Sequence, residues 1–176
     1  MRGADLAQFV RTIPDYPAKG VLFRDLSPLL ADARALRTAV DLLAEQVIAS
    51  GAVQIAGMEA RGFIFGAAVA IAAGCGFVPI RKGGKLPIDA LGVNYALEYG
   101  TDRLELDPST IAAGTKVAIV DDLIATGGTA MAAAQLLQQA GVAVVTAQFV
   151  IDLSSLGGSE ALRLAGVPAG ALLIYS

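Results

Sequence analysis

Apolar side chains recur along this chain with two periods, and the places where one period gives way to the other mark its elements. Over residues 33–50, Leu36, Val40, Leu43 and Val47 form one stripe while Arg34, Arg37, Asp41 and Glu45 fall elsewhere. That spacing predicts an amphipathic helix with Gly51 just past its end. Nearer the start, Leu6, Phe9, Val10 and Ile13 follow Asp5 at helical spacing and predict a shorter helix. It should stop at Ile13, because Pro14 and Pro17 come next, and a loop should carry on to Val21, Leu22 and Phe23. A strand over 53–57, a small-residue helix over 62–73 and a strand over 77–80 then form a βαβ unit. Between residues 81 and 92, Gly83, Gly84, Pro87 and Gly92 interrupt any apolar period, which predicts a loop. Two strands, over 93–99 and 103–106, are joined by Gly100-Thr101-Asp102 as a projecting β-hairpin. A central strand over 116–120, a helix ending before Gly141, a strand over 142–151, a helix over 156–164 and a last strand over 171–174 complete the order. No repeat or linker interrupts it. The alternation predicts an α/β fold: a doubly wound, mostly parallel sheet with flanking helices in one domain spanning residues 1–176, binding its ligand at the carboxyl ends of the strands.

The run from Val117 to Thr129 carries the chemistry. Val117, Ala118, Ile119 and Val120 suit a strand covered on both faces, and the abrupt Asp121-Asp122 marks where that strand should leave the core. Ala125-Thr126-Gly127-Gly128-Thr129 then opens an alanine-rich helix. Free backbone N–H groups, two glycines that admit a ligand and two hydroxyls make an anion cradle there. An ordinary helix cap needs one short polar residue, not two acids followed by two hydroxyls. Two familiar phosphate loops are excluded. Gly74-Cys75-Gly76 is followed by Pro79 where a dinucleotide fingerprint needs Gly, and Gly84-Lys85 by Leu86 where a Walker loop needs Ser or Thr.

Composition narrows the function. The 176 residues are 55% hydrophobic, ample for a core. Residues 63–73, the longest apolar stretch, are interrupted by Gly66 and fall short of the ~20 that cross a bilayer. The N-terminus has no signal-peptide apolar region, so a cytoplasmic protein without membrane contact is expected. A net charge of −3 argues against a nucleic-acid surface. Yet Arg81, Lys82 and Lys85 cluster one βα unit after Arg61, as at an edge that meets an anion. Cys75 is the single cysteine, so it has no internal disulfide partner, and it reads as a small core residue. The absence of histidine leaves acid–base work to Asp, Glu, Lys or Tyr, and removes His-dependent triads and zinc sites.

The Val117–Thr129 run resembles the phosphoribosyl-pyrophosphate (PRPP) motif of type I phosphoribosyltransferases. Three more segments, in the expected order, look like the adenine phosphoribosyltransferase family: Gly20-Val21-Leu22-Phe23-Arg24-Asp25-Leu26-Ser27-Pro28, Gly57-Met58-Glu59-Ala60-Arg61-Gly62-Phe63-Ile64-Phe65-Gly66, and Tyr95-Ala96-Leu97-Glu98-Tyr99-Gly100. The similarity extends over nearly the whole chain. It implies transfer of the 5-phosphoribosyl group from PRPP to adenine, giving AMP and pyrophosphate in purine salvage, by a cytoplasmic homodimer with a type I phosphoribosyltransferase fold.

Displacing pyrophosphate builds positive charge on the ribose and negative charge on the leaving group, so ribose must be held and phosphates neutralised. Asp121 and Asp122 suit the ribose hydroxyls and the cationic ring, with one of the two left open as a helix cap. Ala125, Thr126, Gly127, Gly128 and Thr129 suit the 5′-phosphate. Mg²⁺ should travel on PRPP rather than in a fixed cage, with a water-mediated contact to Asp121 or Asp122 left open. The resemblance implies that Glu59, Ala60 and Arg61 meet pyrophosphate through the backbone of their turn and the Arg61 side chain, assisted by Arg81, Lys82 and Lys85, which by charge pattern alone also fit a solvated run. It places adenine against Leu22, Phe23 and Arg24, where Phe23 is on the residues alone as well read as a core side chain. It gives Glu98 a proton-transfer role, against the plain reading of a surface glutamate, and Tyr99 a role in loop closure. Ala96 replaces a serine common in the family, and Ser159 a residue that is charged in some members. An enzyme for another purine base, or a non-catalytic regulator that senses PRPP, is the alternative; the latter would need a basic face or a DNA-reading domain.

Overall fold

The computed structural model describes residues 3–96 and 100–176. Its centre is a seven-stranded sheet in the order β5-β6-β4-β3-β7-β8-β9, built from β3 (Gln54–Met58), β4 (Gly76–Lys82), β5 (Leu91–Ala96), β6 (Thr101–Leu106), β7 (Lys116–Ile124), β8 (Ala143–Leu153) and β9 (Ala169–Tyr175). The pairs β4–β3, β3–β7, β7–β8 and β8–β9 are parallel. The β5–β6 hairpin is antiparallel, and it joins the sheet where Arg81 and Lys82 pair with Glu105 and Leu104. A separate ribbon pairs β1 (Arg11–Pro14) with β2 (Leu22–Asp25).

Alternation along β7 explains the two cores. Val117 and Ile119 pack with Leu136, Leu137 and Phe149 on the side covered by α4 (Gly128–Gln139). Ala118 and Val120 pack with Leu43, Val47, Phe65 and Val69 on the side covered by α2 (Ala33–Ser50) and α3 (Arg61–Ala73). Each fully buried Leu or Phe contributes about 1.5–3 kcal/mol, so both helical layers are held chiefly by these contacts. The long helix α2 lies where its stripe predicts. The Asp32 carboxylate caps it by accepting from the backbone N–H groups of Arg34 and Ala35 at 3.0 and 2.8 Å, and Gly51 ends it in the left-handed region.

Four expectations are corrected. The segment expected as a helix through Ile13 is a 3₁₀ turn over Gly3–Phe9 that buries Leu6, followed by strand β1; Ile13 pairs with Phe23 across the ribbon. Pro14 and Pro17 not only end a helix but favour an extended approach to it. A short helix, α1 (Ser27–Ala31), stands where none was expected, with Pro28 in its first turn, a position whose N–H is unbonded in any helix. The expected 81–92 loop is shorter, because Arg81 and Lys82 extend β4 and Leu91 opens β5. Finally, β7 does not leave the sheet at Asp121: it continues to Ile124, with Asp121, Leu123 and Ile124 paired to β8. Among the described residues, no helix is long and apolar enough to cross a membrane.

Candidate active site

The carboxyl ends of β3 and β7 open into a cleft of ≈ 670 Å³. It is lined by Glu59, Ala60, Arg61 and Lys82 on one side and by Asp121, Asp122 and the whole Ala125-to-Thr129 turn on the other. A second cleft of ≈ 390 Å³ abuts it, lined by Tyr16, Phe23, Arg24, Ile64 and Phe65 among others. Arg61 and Asp122 line both. The two clefts are therefore one bipartite site with this pair at the junction.

Asp122 is buried, at 6% exposure, and its carboxylate stands 2.7 Å from Arg61 Nε, whose own side chain is 61% exposed. Burial raises the Asp122 pKa, while the Arg61 charge opposes the shift. For Asp121, burial and then the charge of Asp122 push the pKa well above the ordinary carboxylate range. Asp121 Oδ1 also accepts from the Asp122 backbone N–H at 2.8 Å. A Cβ at Gly62 would lie 2.8 Å from that oxygen, so only glycine lets the start of α3 come this close to Asp121.

The 125–129 turn enters α4 through Gly127, with no side-chain cap, which leaves the N–H groups of the first helical turn for a ligand. The turn is braced from behind. Gly158 at the start of α5 (Gly158–Leu164) donates its N–H to the Ala125 carbonyl at 3.0 Å. A Cβ on Gly158 would stand 2.4 Å from that carbonyl oxygen and 2.7 Å from the Gly127 nitrogen.

The basic residues divide. Lys82 lines the large cleft, whereas Arg81 and Lys85 turn to Glu59. The Glu59 carboxylate accepts from the Lys82 backbone N–H and from Arg81 Nε, both at 3.0 Å. These contacts hold its pKa below the usual range. Glu59 thus organises cations, and as an acceptor-only group it offers an anion nothing through its side chain. Lys82 Nζ pairs with the Asp102 carboxylate and donates to the Tyr95 hydroxyl at 3.1 Å. Burial alone would lower the Lys82 pKa, but these two partners outweigh it and raise it.

The segments expected to hold the base fall at the smaller cleft, where Phe23 and Arg24 line the wall. Leu22 is exposed and is not among the lining residues. Tyr16 meets the Phe23 ring edge-to-face at 5.2 Å between centroids. Glu98 and Tyr99 lie outside the described residues; Ala96, just before them, lines the large cleft. Cys75 is half-buried beside the α2–α3 core, where burial raises its thiol pKa.

The phosphoribosyl transferase domain model matches residues 29–158. The adenine phosphoribosyltransferase of Novosphingobium aromaticivorans is 58% identical over 171 residues, 97% of this chain and 96% of that one. The chain belongs to the adenine phosphoribosyltransferase family. A crystal structure of the family's member from Thermoanaerobacter pseudethanolicus superposes with a TM-score of 0.92 at 42% identity, covering 98% of this chain and 99% of that one. The Saccharomyces cerevisiae member, crystallised with adenine and an imino-altritol bisphosphate, gives 0.91 at 36% identity over 97% and 98% of the chains. Relative to this family frame, sequence reasoning missed Gly158, Leu156 and Tyr16, all of which shape the bipartite site. Gly157-Gly158 was visible as a turn, but nothing local tied it to a loop thirty residues earlier. The Asp102 partner of Lys82 was hidden in the same way, since it reaches Lys82 only through the β4–β6 pairing.

Proposed function

We propose that this chain transfers the 5-phosphoribosyl group of PRPP to adenine, giving AMP and pyrophosphate, as a single phosphoribosyltransferase domain over residues 1–176. The observation that carries the reading is the bipartite cleft: a phosphate-cradling half and an aromatic half that meet at Arg61 and Asp122. A transfer between a phosphorylated sugar and a flat base needs its reacting atoms at such a junction, held in near-attack geometry.

In this reading the 5′-phosphate rests on the 125–129 turn, and Asp121 and Asp122 accept from the ribose hydroxyls. As C1′ loses pyrophosphate and turns cationic, their charges stabilise it more than they stabilise the ground state. Arg61 and Lys82 meet the leaving pyrophosphate. Arg81 and Lys85, paired with Glu59, assist them in neutralising its charge. Phe23 stacks adenine, and backbone groups at Leu22 and Arg24 read its edge. Glu98 takes the proton that adenine loses, and Tyr99 serves loop closure.

Mg²⁺ fits this donor set as an ion carried by PRPP. Among the described residues no three metal-ligating side chains converge, and Asp121 and Asp122 are the carboxylates at hand for its water shell. Bound there, Mg²⁺ would neutralise phosphate charge. The family resemblance supports a cytoplasmic homodimer, and the net charge of −3 supports small-molecule partners over nucleic acid.

Hydrogen exchange tests the division of the site. PRPP with Mg²⁺ should protect amides in 125–129, and adenine those in 22–25. Protection of 22–25 by PRPP alone, with none at 125–129, would reverse or remove the assignment.

A further inference from the structure

The ribbon that carries Phe23 and Arg24 is hydrogen-bonded as a strand only to itself. Its base-facing residues therefore depend on side-chain contacts for their position relative to the seven-stranded sheet. Among the described residues, the Arg24 side chain makes a hydrogen bond and a cation–π contact. Its Nη1 donates to Thr12 Oγ1 at 2.5 Å, which stays within the ribbon. Its guanidinium carbon lies 4.1 Å from the ring centroid of Tyr175, which does not. Tyr175 is the last residue of β9, in register with Leu153 of β8, and it packs against the α2–α3 core. Arg24 Nε is buried and has no acceptor among the described residues. A buried N–H without a partner is costly, and the Tyr175 ring supplies a favourable cation–π contact to the same guanidinium.

We propose that Tyr175 is a positioning residue for adenine: its ring seats the Arg24 guanidinium and so sets the base-reading ribbon against the sheet that carries the PRPP site. Tyr175 lines neither half of the cleft and acts through Arg24 alone. The ring face is the operative part, so phenylalanine serves in its place, whereas an aliphatic residue of similar bulk fills the volume and gives no cation a seat. Arginine binds such a face through both its charge and its plane.

The inference rests on the reading of the smaller cleft as the adenine site, and the test separates the two. Steady-state KM for adenine and for PRPP, with melting temperatures, would be measured for Tyr175→Leu, Tyr175→Phe and Phe23→Ala. Tyr175→Leu should raise the adenine KM about 2- to 30-fold, the range of a cation–π contact from exposed to desolvated, and leave the PRPP KM within about twofold, below that range. Tyr175→Phe should behave as the parent. If Phe23→Ala leaves the adenine KM unchanged, the base-site reading fails and takes the inference with it. If Phe23→Ala raises the adenine KM and Tyr175→Leu does not, the inference alone fails. It is also overturned if Tyr175→Leu raises both KM values alike together with a lower melting temperature, or if Tyr175→Phe is as impaired as Tyr175→Leu. Should Tyr175→Leu not fold, the comparison passes to an Arg24→Lys variant, which keeps the charge and loses the stacking plane: a raised adenine KM with an unchanged PRPP KM supports the inference, and parental values for both overturn it.

Discussion

Arg61 Nε lies 2.7 Å from the Asp122 carboxylate, and the two residues stand where the larger cleft and the smaller, aromatic-lined cleft meet. One partner is buried and the other mostly exposed. Burial raises the Asp122 pKa and the Arg61 charge opposes that shift, while the Arg61 side chain stays mostly exposed to solvent.

Arg61→Ala should therefore have two effects. Loss of a charge-assisted contact should weaken PRPP and pyrophosphate by about 1.5–3 kcal/mol, with adenine affected far less. Because Arg61 lowers the Asp122 pKa, its removal should also move the acidic limb of the kcat profile to higher pH. Kinetics in both directions across pH would show this; unchanged values in both would return Arg61 to a structural ion pair.

Asp121→Asn should stabilise the empty protein and slow it. The Asp121 pKa is raised by burial first and by Asp122 second, so the folded chain holds that proton more tightly than the unfolded chain does. The stability it confers is full below the ordinary carboxylate value of about 3.9 and is lost as pH rises through the raised folded value. Burial disfavours ionisation of Asp121, and asparagine removes the ionisable group while keeping the oxygen that accepts from Asp122 N–H. Melting temperature at pH 7 should rise, by about 2–4 °C per kcal/mol for a chain of this size, the gain shrinking as pH falls. Turnover should drop, in kcat rather than KM. A lower melting temperature at pH 7 would contradict the account.

Much of this site was legible because its parts are contiguous. Asp121, Asp122 and the 125–129 turn lie within nine residues, and a strand, a turn and a helix bring them together without help from elsewhere. The helix over 33–50 was readable for the same local reason. What escaped was set by pairing between distant segments. Ile13 is extended because Phe23 stands opposite it, although the spacing of Leu6, Phe9, Val10 and Ile13 is helical. β7 runs past its two acids because β8 continues beside it. The partners of the Glu59 carboxylate, Arg81 Nε and the Lys82 amide, likewise reach it through the pairing of β3 with β4 and not from its neighbours in sequence.

Gly158→Ala probes such a distant contact. Its methyl would stand 2.4 Å from the Ala125 carbonyl oxygen, a backbone atom that can yield only by moving the phosphate turn. Overpacking of this kind costs about 1–3 kcal/mol. The PRPP KM should rise several-fold or more while the adenine KM, set in the other half of the site, changes little. Equal changes in both would mean that the turn and the ribbon move as one body.

Glu98→Gln addresses proton transfer. A positioned acid–base group contributes about 10²–10⁴ in rate, and the chain has no histidine to replace it. Turnover should fall into that range with PRPP affinity, measured by direct titration, nearly unchanged. Turnover within about threefold of the parent, well short of the range for such a group, would assign the proton to water.

Product analysis bears most directly on the central claim. The purified protein would be incubated with PRPP, Mg²⁺ and, separately, adenine, hypoxanthine, guanine and xanthine, and the nucleotides resolved by chromatography. The account requires AMP from adenine, with pyrophosphate released one for one and little product from the other bases. Comparable amounts of a nucleotide from hypoxanthine or guanine, or no nucleotide from adenine, would contradict it.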